Sequence, residues 1–106
     1  LFDPEGLVYF GYPLVAMGKT EPRDTSHLEG LRVPQLFVTG TRDRMGPGDL
    51  VAELADRVPS GRFEPIESGD HSFKPLVATG RTVDDSIRTA AALVAAWWSA
   101  YAPGGV

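Results

Sequence analysis

Short segments with apolar residues alternate along the chain with polar or amphipathic stretches, and three of these segments predict β-strands. The segments cover residues 7–10, 35–39 and 62–67, and glycine or proline stands next to each of them. Residues 7–10 form a continuous apolar run, which is typical of a strand that is buried on both faces of a parallel sheet. Pro65 cannot donate a hydrogen bond to a neighbouring strand, so we expect the third strand at or near a sheet edge.

Two stretches have the spacing of amphipathic helices. In residues 49–58 the apolar side chains recur on one helical face, and Asp49 is suited to cap the first turn. Residues 83–101 carry a wider apolar stripe, and Thr82 followed by Asp85 resembles a capping box. Residues 12–30 are rich in proline, glycine and charge, which predicts a long loop with one helical turn at about 26–31.

The order of the predicted elements is strand, loop, strand, helix, strand, helix. Strands that alternate with helices favour the α/β class, here a parallel sheet with flanking helices and right-handed crossovers. A length of 106 residues allows one domain at most. We therefore interpret residues 1–106 as part of a single domain.

Composition and charge remove several classes of function. The chain is 42% apolar and 23% charged, with a net charge of −4 and acidic and basic residues mixed along it, so nucleic acid is not an expected partner. It has no cysteine and two distant histidines, so we expect no disulfide, no cysteine nucleophile and no metal site. No apolar run reaches the roughly 18 residues of a membrane helix. These features suit a cytoplasmic protein.

The first residues, Leu1-Phe2-Asp3-Pro4, include no initiator methionine, and a strand-like run follows almost at once. We interpret this as the middle of a longer protein. A processed terminus is the alternative.

Candidate chemistry lies after the second and third strands. Residues 40–43 read Gly-Thr-Arg-Asp and residues 69–73 read Gly-Asp-His-Ser-Phe. Ligands of open parallel sheets bind beyond the carboxyl ends of the strands, and neighbouring strands end side by side. We therefore expect Asp43 to face His71, where a carboxylate would fix the tautomer of the imidazole. Either residue alone is more often a turn aspartate or a surface histidine, so the prediction depends on the pair.

These motifs, with the helix between them and the helix after them, resemble the C-terminal half of an α/β-hydrolase, and most closely the small branch near the dienelactone hydrolases. In that fold the triad runs nucleophile, acid, histidine along the chain. The resemblance implies that Asp43 is the acid and His71 the histidine. It also implies hydrolysis of a small-molecule ester or related acyl bond without a cofactor. The loop after the first strand would line the substrate pocket, through Tyr12, Pro13 and Leu14.

The chain departs from that pattern because it has no G-x-S-x-G elbow and no oxyanion-hole loop. None of its serines, at positions 26, 60, 68, 72, 86 and 99, has the elbow's spacing. Ser72 adjoins His71 and is poorly placed to be its nucleophile, and Asp70 should point away from the ring. We therefore expect the nucleophile to lie outside this chain, which alone should be inactive.

Two predictions about partners and alternatives remain. The strand at 7–10 should present an unpaired apolar edge, which either the N-terminal half of the same fold or a second copy would cover. The alternative functions are a truncated or degenerate hydrolase fold that only binds, and a small nucleotide-binding α/β domain. The absence of a glycine-rich phosphate-binding fingerprint argues against the last of these.

Overall fold

The strands form one parallel sheet with helices packed on both of its faces. The computed structural model describes residues 5–101. The sheet contains β1 (Leu7–Phe10), β2 (Gln35–Gly40) and β3 (Gly61–Ile66) in the order β1-β2-β3, and both strand pairs are parallel. The helices are α1 (Ser26–Glu29), α2 (Gly48–Arg57) and α3 (Val83–Tyr101), with a 3-10 turn at Val77–Thr79. The predicted α/β class with a parallel sheet is confirmed.

β2 is central because its side chains feed two separate apolar clusters. All six of its residues are buried. Phe37 packs with α1 and α2 on one face of the sheet, whereas Leu36 and Val38 pack with α3 on the other. Burial of each such side chain stabilises the fold by roughly 1.5–3 kcal/mol. This two-sided burial explains why Leu36, Phe37 and Val38 are apolar in succession rather than alternating with polar residues.

The outer strands lie on either side of β2. β3 is an edge of the sheet in the part of the chain that the structure describes, as its Pro65 predicted, and Pro65 stands opposite Thr39 of β2. β1 forms the other edge. Its Tyr9 hydroxyl donates to Gln35 Oε1 at 2.9 Å, and Gln35 Nε2 donates to the Leu28 carbonyl at 3.1 Å. These bonds satisfy a buried amide and fix β1 and α1 to β2.

The helix starts agree only in part with the sequence prediction. α2 begins at Gly48 with Pro47 as its N-cap and has no side-chain cap, so the assignment of Asp49 as the cap was wrong. Asp49 lies in the first turn instead, where a carboxylate still interacts favourably with the helix dipole. The capping box of α3 is confirmed, because Thr82 N donates to Asp85 Oδ2 at 2.8 Å and Asp85 N donates to Thr82 Oγ1 at 3.2 Å. The sequence Pro103-Gly104-Gly105 predicts the end of this helix, and these residues lie outside the described part of the chain.

The segment between β1 and β2 is a loop that packs against the sheet. Val15 N donates to the Met45 carbonyl at 2.7 Å, and Arg23 N donates to the Leu14 carbonyl at 2.8 Å. The predicted helical turn is present as α1. Among the described helices, none has the length and apolar character needed to cross a membrane.

Candidate active site

Asp43 and His71 meet beyond the carboxyl ends of β2 and β3. Asp43 follows β2 by three residues and His71 follows β3 by five. His71 Nδ1 lies 2.8 Å from Asp43 Oδ2, across 28 residues of sequence. The structure therefore brings together the two residues that the strand order predicted would face each other.

The Asp43 carboxylate is buried and held from two sides. Its side chain is 0% exposed. Oδ2 faces the imidazole, while Oδ1 accepts the N–H groups of Met45 at 2.9 Å and Gly46 at 3.2 Å. Bonds from backbone N–H groups to a carboxylate are charge-assisted and fix its orientation. When the Nδ1 proton of His71 is donated to Oδ2, Nε2 is left as the acceptor nitrogen of the ring.

The imidazole is accessible, and Gly11 makes room for it. The side chain of His71 is 45% exposed. Gly11 lies at the end of β1 with φ +65°, and a Cβ added there would lie 3.4 Å from both His71 Nδ1 and Cε1 and 3.1 Å from the His71 carbonyl oxygen. A side chain at position 11 would crowd the ring, and the positive φ disfavours one in any case. Sequence reasoning treated Gly11 only as the end of a strand.

The two loops that carry the pair touch through their backbones. A Cβ added to Gly40 would lie 2.1 Å from the Gly69 carbonyl oxygen, so this crossing accepts no side chain. Thr41 Oγ1 accepts the N–H of Ser68 at 2.7 Å, and Arg42 N donates to the Gly69 carbonyl at 2.8 Å. The relative position of Asp43 and His71 is therefore set by direct contact between the loops.

Asp70 shapes the turn around His71 and forms no hydrogen bond with the ring in the described structure. Its Oδ1 accepts the N–H groups of Ser72 at 2.8 Å and Lys74 at 2.9 Å. The hydrogen bond from Lys74 N, followed by that from Ser72 N, holds the pKa of Asp70 below its usual value. Phe73 completes the turn with φ 65°, an uncommon conformation for a bulky residue. Its ring packs in the α3-side apolar cluster, which holds it in place.

Ser72 is exposed, and within residues 5–101 no hydroxyl is hydrogen-bonded to the His71 ring.

A depression of about 420 Å³ adjoins the ring and is lined by residues on both sides of the pair: Met17, Arg42, Asp43, Arg44, Met45, Asp70, His71 and Ser72. Within the described residues, no group of three or more His, Cys, Asp or Glu side chains could hold a metal ion.

The three residues expected to contact a substrate lie apart from that depression. Leu14 is 0% exposed and belongs to the apolar cluster beside α2, so it has no surface to offer a ligand. The ring of Tyr12 packs edge-on against Tyr9 and Phe37. Pro13, between them, is exposed. An apolar residue just after a strand can face the core or a pocket, and local sequence does not distinguish these outcomes.

A parallel α/β sheet with an Asp–His pair at its carboxyl edge is the framework of a hydrolase fold. Residues 3–99 match the family model described as an alpha/beta hydrolase domain. This match spans nearly the whole chain, and the protein belongs to the α/β-hydrolase domain family. No curated protein gives a significant match to the chain, and no solved structure does so either.

Proposed function

We propose that this chain supplies the acid, Asp43, and the histidine, His71, of a serine-type hydrolase that cleaves an ester or related acyl bond. The observation that carries the proposal is the 2.8 Å contact between His71 Nδ1 and an Asp43 carboxylate that is buried and held by two backbone N–H groups. The serine nucleophile and the oxyanion donors come from outside these residues, because the chain contains no G-x-S-x-G elbow.

The pair would act in both halves of the reaction. His71 Nε2 accepts the proton of the serine hydroxyl as the serine oxygen attacks the carbonyl carbon, and it returns the proton to the leaving alcohol when the C–O bond breaks. In the second half it takes a proton from water as the water oxygen attacks the acyl-enzyme, and it returns that proton to the serine oxygen when the acyl C–O bond breaks and the acid leaves. Asp43 stabilises the imidazolium each time it forms.

The substrate class rests on the resemblance to the dienelactone-hydrolase branch, which favours a small soluble ester. The accessible depression beside His71, about 420 Å³, fits a molecule of that size. Tyr12 and Pro13 do not line this depression, and they remain candidate contacts only for a part of the substrate that extends past it, toward the carboxyl end of β1. Leu14 is not retained, because it is completely buried.

Fluorophosphonate labelling tests where the nucleophile lies. This reagent phosphonylates serines that a neighbouring base activates. We expect the 106-residue chain to show no adduct by intact mass, and a polypeptide or complex that also contains the missing serine to gain one that His71→Ala abolishes. An adduct on one of this chain's own serines that disappears in His71→Ala would overturn the proposal that the nucleophile lies outside this chain.

We also propose that the open edge of β1 is covered by a further strand, from the other half of the fold or, in the isolated chain, from a second copy. Leu7 N and Gly11 N bond to the β2 side, so the backbone groups of Val8 and Phe10 face away from β2. Phe10 is 57% exposed and forms an apolar depression of about 280 Å³ with residues of α3 and with Phe73. An unpaired apolar edge of this kind readily pairs with another chain.

Sedimentation velocity over a range of concentrations tests this edge. We expect the isolated chain to associate and Phe10→Lys to shift it toward the monomer, because a charge on an edge strand opposes pairing. Val77→Lys is the matched control, since Val77 is 91% exposed but lies outside the edge strand. A wild-type chain that stays monomeric at the highest concentration would contradict the proposal.

A further inference from the structure

Arg42 joins the acid side of the site to the loop that carries His71. We call residues 68–74 the histidine loop. The guanidinium of Arg42 donates from Nε to the Ser68 carbonyl at 2.7 Å and from Nη2 to the Lys74 carbonyl at 2.8 Å. Its backbone N–H donates to the Gly69 carbonyl at 2.8 Å. One residue therefore binds the first, second and last carbonyl groups of the histidine loop.

The chemistry of arginine suits this arrangement. A guanidinium is planar and always charged, and it presents several donors at fixed angles, so one side chain can bind two carbonyl groups at once. Arg42 is not engaged in a salt bridge with any carboxylate in the described part of the chain. Its guanidinium donors are thus used on the two ends of the loop.

The position of Arg42 in sequence gives this contact a consequence for the site. Arg42 directly precedes Asp43, whose carboxylate is itself fixed by Met45 N and Gly46 N. The same short turn therefore holds both the acid and the two ends of the loop that presents the imidazole. Without the guanidinium, Asp70 and Thr41 still organise parts of the histidine loop, but its two ends lose their common anchor.

We infer that Arg42 is a positioning residue that keeps His71 Nδ1 in contact with Asp43. This inference rests on the proposed function, because it assigns Arg42 a role in the same Asp–His pair. Arg42 acts through the backbone of the histidine loop and forms no hydrogen bond with the imidazole in the described structure.

The tautomer of His71 provides a readout that a purely structural role would not move. We would label the 106-residue chain with ¹⁵N-histidine and record the shifts of both ring nitrogens at a pH where the imidazole is neutral. In the wild type we expect His71 to carry its proton on Nδ1, since the carboxylate selects that tautomer. His27, the other histidine, is exposed and serves as an internal reference.

Arg42→Ala should lower the ratio of the Nδ1–H form to the Nε2–H form at His71 by about tenfold or more, as expected when hydrogen bonds from a charged donor are removed. Arg42→Lys should lower this ratio by less, because an ammonium keeps the charge but cannot donate to both carbonyl groups in the geometry of the guanidinium. Arg44→Ala is the matched control, an exposed arginine two residues away without a hydrogen bond to the histidine loop. It should leave the ratio unchanged.

The outcomes separate this inference from the proposed function. A wild-type His71 without the Nδ1–H preference would remove the Asp–His pair, and with it both proposals. A wild-type preference that persists in folded Arg42→Ala would overturn the role of Arg42 alone. If Arg42→Ala does not fold, Arg42→Lys decides: a ratio equal to that of the wild type would count against the inference, and an intermediate ratio would support it.

Discussion

Replacing Asp43 with asparagine should lower kcat by about 10⁴-fold in the polypeptide or complex that brings a serine nucleophile to this chain. The geometry fixes how the new amide would sit. Met45 N and Gly46 N both donate to Oδ1, so the amide oxygen must stay at that position. The NH₂ group then takes the place of Oδ2, 2.8 Å from His71 Nδ1.

That orientation selects the wrong tautomer of His71. The amide nitrogen donates to Nδ1, so the ring proton moves to Nε2, which can no longer accept the proton of the serine. Because the substitution leaves the shape of the site nearly unchanged, we expect the loss in kcat with KM little altered. Initial rates with a small activated ester such as p-nitrophenyl acetate would measure both constants.

Asp70→Asn is the control for the identity of the acid. Asp70 is the other carboxylate beside His71, but its Oδ1 accepts the N–H groups of Ser72 and Lys74, and an asparagine oxygen can accept the same two bonds. We expect a far smaller loss of kcat for this variant. Comparable losses in the two variants, or a nearly active Asp43→Asn, would show that Asp43 is not the orienting acid.

The pair itself could be predicted from the sequence because strand order is visible in it. Strand-like segments next to glycine or proline identified β2 and β3, and parallel neighbours end at the same edge, so Asp43 and His71 were expected to lie close together. The family match supports the fold that this argument assumed. Only the order of strands and helices was needed. Hydrophobic periodicity, which reveals that order, is the primary signal of secondary structure in a sequence.

The residues that hold Asp43 and His71 in position could not be predicted in the same way. Gly11 and Arg42 act through contacts with the histidine loop, which follows them by 26 or more residues. Arg42 stands in the Gly-Thr-Arg-Asp segment that the sequence singled out, but the local pattern gave a role only to Asp43. Leu14 is the opposite case, because the sequence assigned it a role in the site that its burial excludes. It follows β1 on the side of the sheet where a pocket was expected, yet the packing of the loop turns it into the core. Such choices depend on which surfaces meet in the folded chain.

The same dependence on loop contact makes Gly40→Ala the most destabilising small substitution we expect near the site. The added Cβ would lie 2.1 Å from the Gly69 carbonyl oxygen and 2.4 Å from its carbon. Both obstacles are backbone atoms, so no change of rotamer relieves the clash, and the ends of β2 and β3 must move apart. Forced backbone shifts in a packed region cost about 1–3 kcal/mol or more in the free energy of unfolding.

Urea unfolding followed by circular dichroism would measure this loss, with Gly30→Ala as the matched control. A Cβ at Gly30 would meet nothing closer than 3.8 Å, and the φ of Gly30 is −87°, so that variant should be close to neutral. Because Gly40 packs against the histidine loop and precedes Asp43 by three residues, Gly40→Ala should also weaken the Nδ1–H preference of His71. If Gly40→Ala unfolded at the same urea concentration as Gly30→Ala, the two loops would not touch as closely as described. Contact between the loops would then not be what holds Asp43 against His71.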